Sequence, residues 1–184
     1  MQSRWNDIDA KAFEDAAIAA GQDPQLGLRV YTSRIVGADP DLVLHGGGNT
    51  SVKVTGADGE EIIHIKGSGW DLDTIEAPGL PAVKMAPLLA ARDGDKLSDP
   101  DMVALLRANL LDPASPNPSV EALLHAFLPF RFVDHSHATA ILALADQKDM
   151  GETVKRIYGD RLAFVPYVMP GFDLSIEADK VYRA

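Results

Sequence analysis

The stretch PSVEALLHAFLPFRFVDHSHATA, residues 118–140, decides the fold because it joins a helix to a strand through a forced turn. Residues 119–128 predict a helix, and Pro129 cannot continue it, since proline lacks a backbone N–H and clashes with the preceding turn. The sequence RFVDH at 131–135 predicts a strand that returns along the helix. The helix rises about 12 Å at about 1.5 Å per residue. The strand covers about 13 Å, so the start of the helix and the end of the strand lie at the same level.

Three side chains of chemical interest lie at those level ends: Glu121 on the helix, and His135 and His137 on the strand. Residues two apart on a strand project from the same face, about 7 Å apart along the backbone, which suits two ligands of one metal ion. Glu121 is then a metal ligand or a general base beside a metal-bound substrate. The spacing fits equally well a polar strand face and an acidic residue that complements the helix dipole.

The remaining histidines are weaker candidates for a role in the site. His125 lies one helical turn after Glu121 and shares its face, so we expect a core or boundary histidine that is hydrogen-bonded to that carboxylate rather than a third site member. His64 lies in an alternating strand pattern and is expected to be structural. His45 precedes a glycine run and is given no role.

Two glycine-containing loops are candidates for anion binding: HGGGNTSVKV at 45–54 and KGSGWDLD at 66–73. Glycines permit positive φ and close approach, so that successive backbone N–H groups form a concavity for an anion. Tight strand connections are the commoner use of such glycines. Two such loops beside a carboxylate and a histidine pair favour one shared cleft, in which both loops present backbone N–H groups.

The rest of the chain predicts a mixture of helices and short strands. Helices are expected at 8–20, 22–37, 138–145 and from Asp173 or Ser175 onward, and also from an Asp99 cap followed by Pro100 to about Leu111. Strands are expected at 42–45, 50–55, 62–66 and, as a buried strand, 163–169. The mixture predicts an α/β fold without the regular alternation of a doubly wound sheet.

The composition excludes several classes of function. The 184 residues are 46% hydrophobic and 24% charged, which is typical of one folded domain, 1–184. A formal net charge of -10 argues against a nucleic-acid or anionic-membrane surface. The absence of cysteine removes disulfides and thiolate ligands. The N-terminus lacks a signal-peptide pattern, and no apolar run approaches the roughly 20 residues that span a bilayer, so we expect a cytoplasmic protein.

Taken together, the motifs resemble the class II aldolase and adducin family. The resemblance rests on four motifs in order, which are Gly-Asn-x-Ser at 48–51, Lys-x-Ser-Gly at 66–69, Ser-x-Glu at 119–121 and His-x-His at 135–137. It spans about residues 25–170. The form HGGGNTSVK is especially similar to larger bifunctional proteins, in which an aldolase domain for rhamnulose 1-phosphate precedes a short-chain dehydrogenase domain.

The resemblance implies a three-layer α/β/α fold, with a central, mainly antiparallel sheet flanked by helices, assembled as a homotetramer. It implies zinc-dependent aldol cleavage of a ketose 1-phosphate of the rhamnulose or fuculose type, to dihydroxyacetone phosphate and an aldehyde. His135 and His137 would be zinc ligands, and Glu121 would be the catalytic acid/base residue. The expected phosphate-binding residues are Gly48, Asn49, Ser68, Gly69 and Ser119.

Two departures from the family pattern matter. The family's third zinc-binding histidine lies well downstream of the His-x-His pair, whereas no histidine follows His137 here. Val120 stands where the small-sugar aldolases usually have a second serine. Because the last helix pattern continues to Ala184 without a stop signal, we expect a C-terminally truncated domain whose third zinc ligand lies beyond Ala184. The alternative is a non-catalytic, adducin-like assembly module, which would be expected to lose the histidine pair and the carboxylate.

Overall fold

Four strands form one antiparallel sheet in the computed structural model, which describes residues 2–184. The strands are β1 (Asn49–Thr55), β2 (Glu61–Ile65), β3 (Ala82–Lys84) and β4 (Phe132–His135), in the order β3-β2-β1-β4. The helices are α1 (Asp7–Ala19), α2 (Pro24–Gly37), α3 (Met85–Arg92), α4 (Asp99–Ala108), α5 (Ala122–Phe127), α6 (Thr139–Ala145), α7 (Met150–Tyr158) and α8 (Phe172–Arg183). Among residues 2–184, no helix is both long and apolar enough to cross a bilayer.

Helices cover both faces of the sheet. The side chains of β1 alternate between the two faces, so successive residues contact different helices. On one face, Thr50 Oγ1 lies 2.7 Å from Ser33 Oγ of α2, and α1 packs on α2. On the other face, Ser51 Oγ lies 2.8 Å from His125 Nδ1 of α5. The three-layer α/β arrangement expected for the chain is therefore present.

The main hydrophobic core fills the α5 face of the sheet. It joins β2 and β3 to α3, α4, α5 and α8 through thirteen buried residues: Ile63, Ile65, Val83, Met85, Leu88, Met102, Leu106, Leu110, Ala122, Leu123, Ala126, Phe127 and Phe172. Burying a leucine or isoleucine side chain completely contributes about 1.5–3 kcal/mol. This core holds α5, and with it the start of the 121–135 unit, against the sheet.

The helix starts follow local capping chemistry. Asn6 accepts hydrogen bonds from two backbone N–H groups of α1, and Asp23 accepts one from Gln25 N before Pro24 opens α2. Ser98, and not Asp99 as predicted, caps α4 through Asp101 N. The hydroxyl of Ser98 reaches the N–H of the third helical residue, which places the helix start one position earlier than the Asp-Pro pair suggested.

Two predicted strands are wrong. Residues 42–45 form turns, since the N–H of Leu42 donates to Asp39 O at 2.9 Å and that of Gly47 to Leu44 O at 3.1 Å. Residues 163–169 belong to no sheet, and most of their side chains are exposed, including Tyr167 at 79%. An apolar run predicts burial only where a partner covers it, and Pro166 removes one of the donors that a strand needs.

Candidate active site

A cleft of about 460 Å³ lies where β1, β4, α5 and the two glycine loops meet. Its lining consists of Gly46, Gly47, Gly48, Asn49, Lys66, Gly67, Ser68, Gly69, Ser119, Val120, Glu121, His135, His137 and Pro170. Every residue that the sequence assigned to catalysis, phosphate binding or metal binding is among them. The expectation that both loops face one cleft is confirmed, whereas the roles of the individual residues stay predictions.

Strand register brings the carboxylate and the first imidazole together. Asn49 lies directly opposite His135 in the β1–β4 ladder, so both side chains lie on the α5 face. Glu121, the residue before α5, places its Oε2 atom 2.8 Å from His135 Nδ1. The Asn49 amide donates to the same carboxylate oxygen. The helix–strand return predicted from the sequence therefore has the expected result.

The Glu121 carboxylate is held in its charged form. Burial raises the pKa of Glu121, but hydrogen bonds from His135 and Asn49 outweigh burial, and the resulting pKa lies below the usual range. Because a carboxylate only accepts, His135 Nδ1 is the donor of their shared bond, and the neutral ring then has a free lone pair on Nε2. Glu121 can thus act as a base, while His135 can act as a ligand through Nε2.

His137 completes the imidazole pair. Its ring centroid lies 4.9 Å from that of His135, with the rings inclined at 60°. The backbone N–H of His137 donates to Leu42 O at 2.8 Å, which ties it to the 42–47 turn. A Cβ atom at Gly47 would lie 3.1 Å from His137 Nδ1, so the glycine leaves room for the ring.

The imidazole pair fits two positions of a zinc site, since neutral histidine nitrogens are common zinc ligands. Residues 2–184 contain no group of three or more His, Cys, Asp or Glu side chains that could hold a metal ion. Two neighbouring imidazoles, with one carboxylate bonded to the first of them, are therefore what the described residues could contribute to a metal site.

Some of the backbone N–H groups that the sequence offered to an anion are not free to bind one. The N–H groups of Gly47, Gly67 and Ser68 donate to Leu44 O, Gly79 O and Asn117 O, at 3.1, 2.8 and 2.8 Å. Three of the expected backbone donors are thus engaged within the chain, and the prediction is wrong for them. Partners as distant as Gly79 and Asn117 are invisible in the loop sequence itself.

Gly48 has a steric role instead. Its φ is 66°, in the left-handed region that glycine tolerates. A Cβ there would lie 2.6 Å from His135 O and 2.7 Å from Val43 Cγ1. The glycine therefore allows the turn before β1 to approach the end of β4 closely.

Sequence reasoning gave no site role to Lys66, although it noted the residue in its loop. Lys66 is 6% exposed, and its ammonium donates to Gly46 O at 3.1 Å. Burial lowers the pKa of Lys66, and the negative charges of Asp71 and Glu121 partly offset this effect. A lysine that directly follows an apolar strand and opens a Ser-Gly loop is the signal that could have identified it.

The other histidines lie outside the cleft lining. His125 is fully buried, but its partner is Ser51 and not Glu121, which corrects part of the prediction. Burial lowers the pKa of His125 to about 3, so it stays neutral near pH 7. His64 lies 3.1 Å through Nδ1 from Leu80 O, consistent with the structural role expected for it.

The three-layer fold, with a carboxylate and an imidazole pair at one end of its antiparallel sheet, defines a class II aldolase-like domain. A sequence model described as "Class II Aldolase and Adducin N-terminal domain" matches residues 29–184. The chain belongs to this family.

Two similar proteins were found. The N-terminal class II aldolase domain of a conserved protein from Thermoplasma acidophilum is 39% identical, with a TM-score of 0.80, and the match covers 98% of this chain and 80% of that one. An uncharacterized oxidoreductase of Bacillus subtilis (strain 168), YuxG, is 40% identical over 150 residues, which is 79% of this chain. The match spans only 22% of the length of that oxidoreductase.

Proposed function

We propose that this domain catalyses metal-dependent aldol cleavage of a ketose 1-phosphate of the rhamnulose or fuculose type. The products are dihydroxyacetone phosphate and an aldehyde. The observation that supports this best is the 2.8 Å contact of Glu121 Oε2 with His135 Nδ1, in a cleft that also holds His137. A carboxylate suited to be a base, two imidazoles suited to bind a metal ion, and a space for a small substrate therefore lie in one cleft, which supports the proposal. A non-catalytic adducin-like module has no need of this arrangement.

His135 and His137 would hold a zinc ion as two of its ligands. When bound, such an ion polarises the substrate carbonyl and stabilises negative charge that develops on its oxygen. A catalytic zinc site commonly has three protein ligands, so the proposal requires one ligand from outside the group described above. The hydrogen bond with Glu121 fixes the orientation of the His135 ring, as second-sphere carboxylates do in other metal sites.

Glu121 would carry the proton. In the cleavage direction, the C3–C4 bond of the ketose breaks, its electron pair stays on C3, and the C4 hydroxyl loses its proton as the aldehyde forms. The Glu121 carboxylate accepts the proton of the C4 hydroxyl and then delivers a proton to C3; in the reverse direction it removes the proton from C3 and returns it to the C4 oxygen. Asn49 and Ser119 would orient this carboxylate, since Asn49 Nδ2 donates to it and also lies 3.2 Å from Ser119 Oγ.

The test is a direct assay of the natural full-length protein with zinc. Rhamnulose 1-phosphate and fuculose 1-phosphate are supplied separately, and dihydroxyacetone phosphate is measured. Zinc-dependent release from either sugar, abolished by a chelator and restored by zinc, is the expected result. Failure to cleave both sugars with zinc bound would reject the proposed reaction.

We also propose that the domain acts within a larger cytoplasmic protein, as a homo-oligomer, with a dehydrogenase domain in the same chain. YuxG is named as an oxidoreductase, and this chain matches only 22% of it; both facts support the fused arrangement. A dehydrogenase on the same chain would oxidise an aldehyde product close to where it is released. Mass measurement of the natural protein and an assay for nicotinamide reduction with lactaldehyde test this proposal.

A further inference from the structure

Lys53 of β1 fastens the turn between α5 and β4 through three backbone carbonyls. Its ammonium donates to Leu128 O and, at 2.9 Å, to Phe130 O. Its backbone N–H donates to Arg131 O, also at 2.9 Å. These carbonyls lie on both sides of Pro129, which prevents α5 from continuing. A single residue of the sheet therefore holds the whole return turn.

The ammonium supplies donors that the turn itself lacks. The last carbonyls of a helix have no partner within the helix, and Pro129 has no N–H to offer. A lysine beside a helix C-terminus can bond these carbonyls, and its charge complements the negative end of the helix dipole. Burial lowers the pKa of Lys53 to about 8, so the side chain is still mainly charged at pH 7. Lys53 thus caps α5 from a neighbouring strand.

β1 contacts the unit of α5 and its turn at three successive positions of one face. Residues two apart on a strand share a face, and Asn49, Ser51 and Lys53 do so here. The Asn49 amide donates to Glu121 Oε2. Ser51 Oγ lies 2.8 Å from His125 Nδ1, and Lys53 holds the turn. Hydrophobic burial of α5 is not directional, whereas these polar contacts fix where the helix lies along β1.

We propose that Lys53 is a positioning residue: its hold on the turn fixes α5 along β1 and thereby keeps the Glu121 carboxylate in contact with His135. Lys53 does not line the cleft, so it acts through the backbone and touches no substrate. The inference rests on the proposed function only for the reaction that the contact serves. Proton transfer needs heavy atoms within about 2.6–3.2 Å of each other, and a displacement of about 1 Å can lower a rate about a hundredfold.

The first measurement reads the contact between Glu121 and His135 on the chain without added metal. Because His135 Nδ1 donates to Glu121, the two ring nitrogens should give the separate 15N NMR signals of a protonated and an unprotonated nitrogen. Lys53→Met keeps the aliphatic stem and loses the ammonium, so we expect these signals to move toward the average of the two tautomers. Lys53→Arg can still donate to the turn carbonyls and should shift the signals less.

Lys84→Met is the matched control, because it removes a lysine that pairs with Glu60 at 3.1 Å on β3, at the opposite edge of the sheet from β4. It should leave the His135 signals unchanged. Lys53→Gln is the second variant in case Lys53→Met does not fold. Its amide nitrogen ends one atom short of the ammonium position, so it should also shift the signals. Unchanged His135 signals in whichever of the two variants folds, or an equal shift in Lys84→Met, overturn the proposal.

The second measurement is steady-state cleavage by the natural full-length protein with zinc. Lys53→Met should lower kcat about tenfold or more and change KM by less than about twofold, and Lys53→Arg should restore part of kcat. A higher KM with unchanged kcat would overturn the positioning role. Absence of cleavage by wild type would reject the proposed reaction alone, since the NMR signals are read without substrate. Cleavage by wild type together with unchanged His135 signals in Lys53→Met would reject this inference alone.

Discussion

Helices α5 and α6 are similarly apolar in sequence and differ completely in surroundings. In α5, five of six residues are buried, and the helix positions the start of the cleft. In α6, with the sequence TAILALA, no residue is buried, and Leu142 is 51% exposed. An apolar sequence shows that a segment can be buried. Whether it is buried depends on whether the sheet or the core lies against it. The cleft is built on the packed segment, which explains why its geometry is well determined by contacts within the chain.

The largest expected effect compares one leucine in each helix. Leu123→Ala in α5 removes a fully buried side chain from the main core, so it should lower the free energy of unfolding by about 2–5 kcal/mol. Leu142→Ala in α6 should change it by at most about 0.5 kcal/mol, because an exposed side chain loses little on truncation. Urea unfolding of both variants measures the difference. Similar losses of unfolding free energy in the two variants would show that α6 is covered in solution, and that α5 and α6 do not differ in burial.

A smaller effect is expected within the glycine turn. Gly48→Ala places a Cβ against His135 O at a φ of 66°, which should cost about 1–3 kcal/mol. Gly46→Ala is the matched control, since the nearest atom to its Cβ would lie 3.7 Å away. Both are measured by thermal unfolding at equal pH. If Gly46→Ala destabilises the protein as much as Gly48→Ala, then close approach to β4 does not constrain this turn.

The smallest expected effect is a pH dependence that arises behind the cleft. His125 titrates near 6.5 when unfolded, and burial lowers its folded pKa to about 3. Between these values the unfolded state binds more protons, so stability falls as the pH decreases, by at most about 1.4 kcal/mol per pH unit. The lowered pKa of His64 acts in the same direction.

The variant His125→Asn removes the larger part of this dependence. Its unfolding free energy should change less between pH 6.5 and 4.5 than that of wild type, even if it is less stable at pH 7. His45→Asn is the control, since His45 is exposed and does not line the cleft. A slope identical to wild type in His125→Asn would contradict the neutral, buried state of this histidine.

Much of the site could be predicted from local sequence, because it depends on local geometry. Pro129 forces the return, and the lengths of helix and strand bring Glu121 and His135 to the same level, as the 2.8 Å contact shows. The partners of Gly67 and Ser68 could not be predicted, since the acceptors lie 12 and 49 residues away, at Gly79 and Asn117. The same limitation hid the burial of Lys66.

Segments that depend on a neighbour were predicted least well. The apolar run 163–169 looked like a buried strand, but in the described structure it has no strand beside it. Strand β3 and helices α3 and α7 were not anticipated at all. β3 is three residues long, too short for alternation to be recognised. In α7 the apolar residues Met150, Val154, Ile157 and Tyr158 do recur at helical spacing, and this pattern was overlooked.

The central claim is that Glu121 moves a proton and does not merely hold the metal. The most direct test is Glu121→Gln in the natural full-length protein, with zinc content and ketose 1-phosphate cleavage measured on the same sample. Glu61→Gln, on the exposed side of β2, is the control. The account predicts that zinc is retained and that kcat falls by about 10²–10⁴-fold in Glu121→Gln, with Glu61→Gln unchanged. Full cleavage by a zinc-loaded Glu121→Gln protein would contradict it.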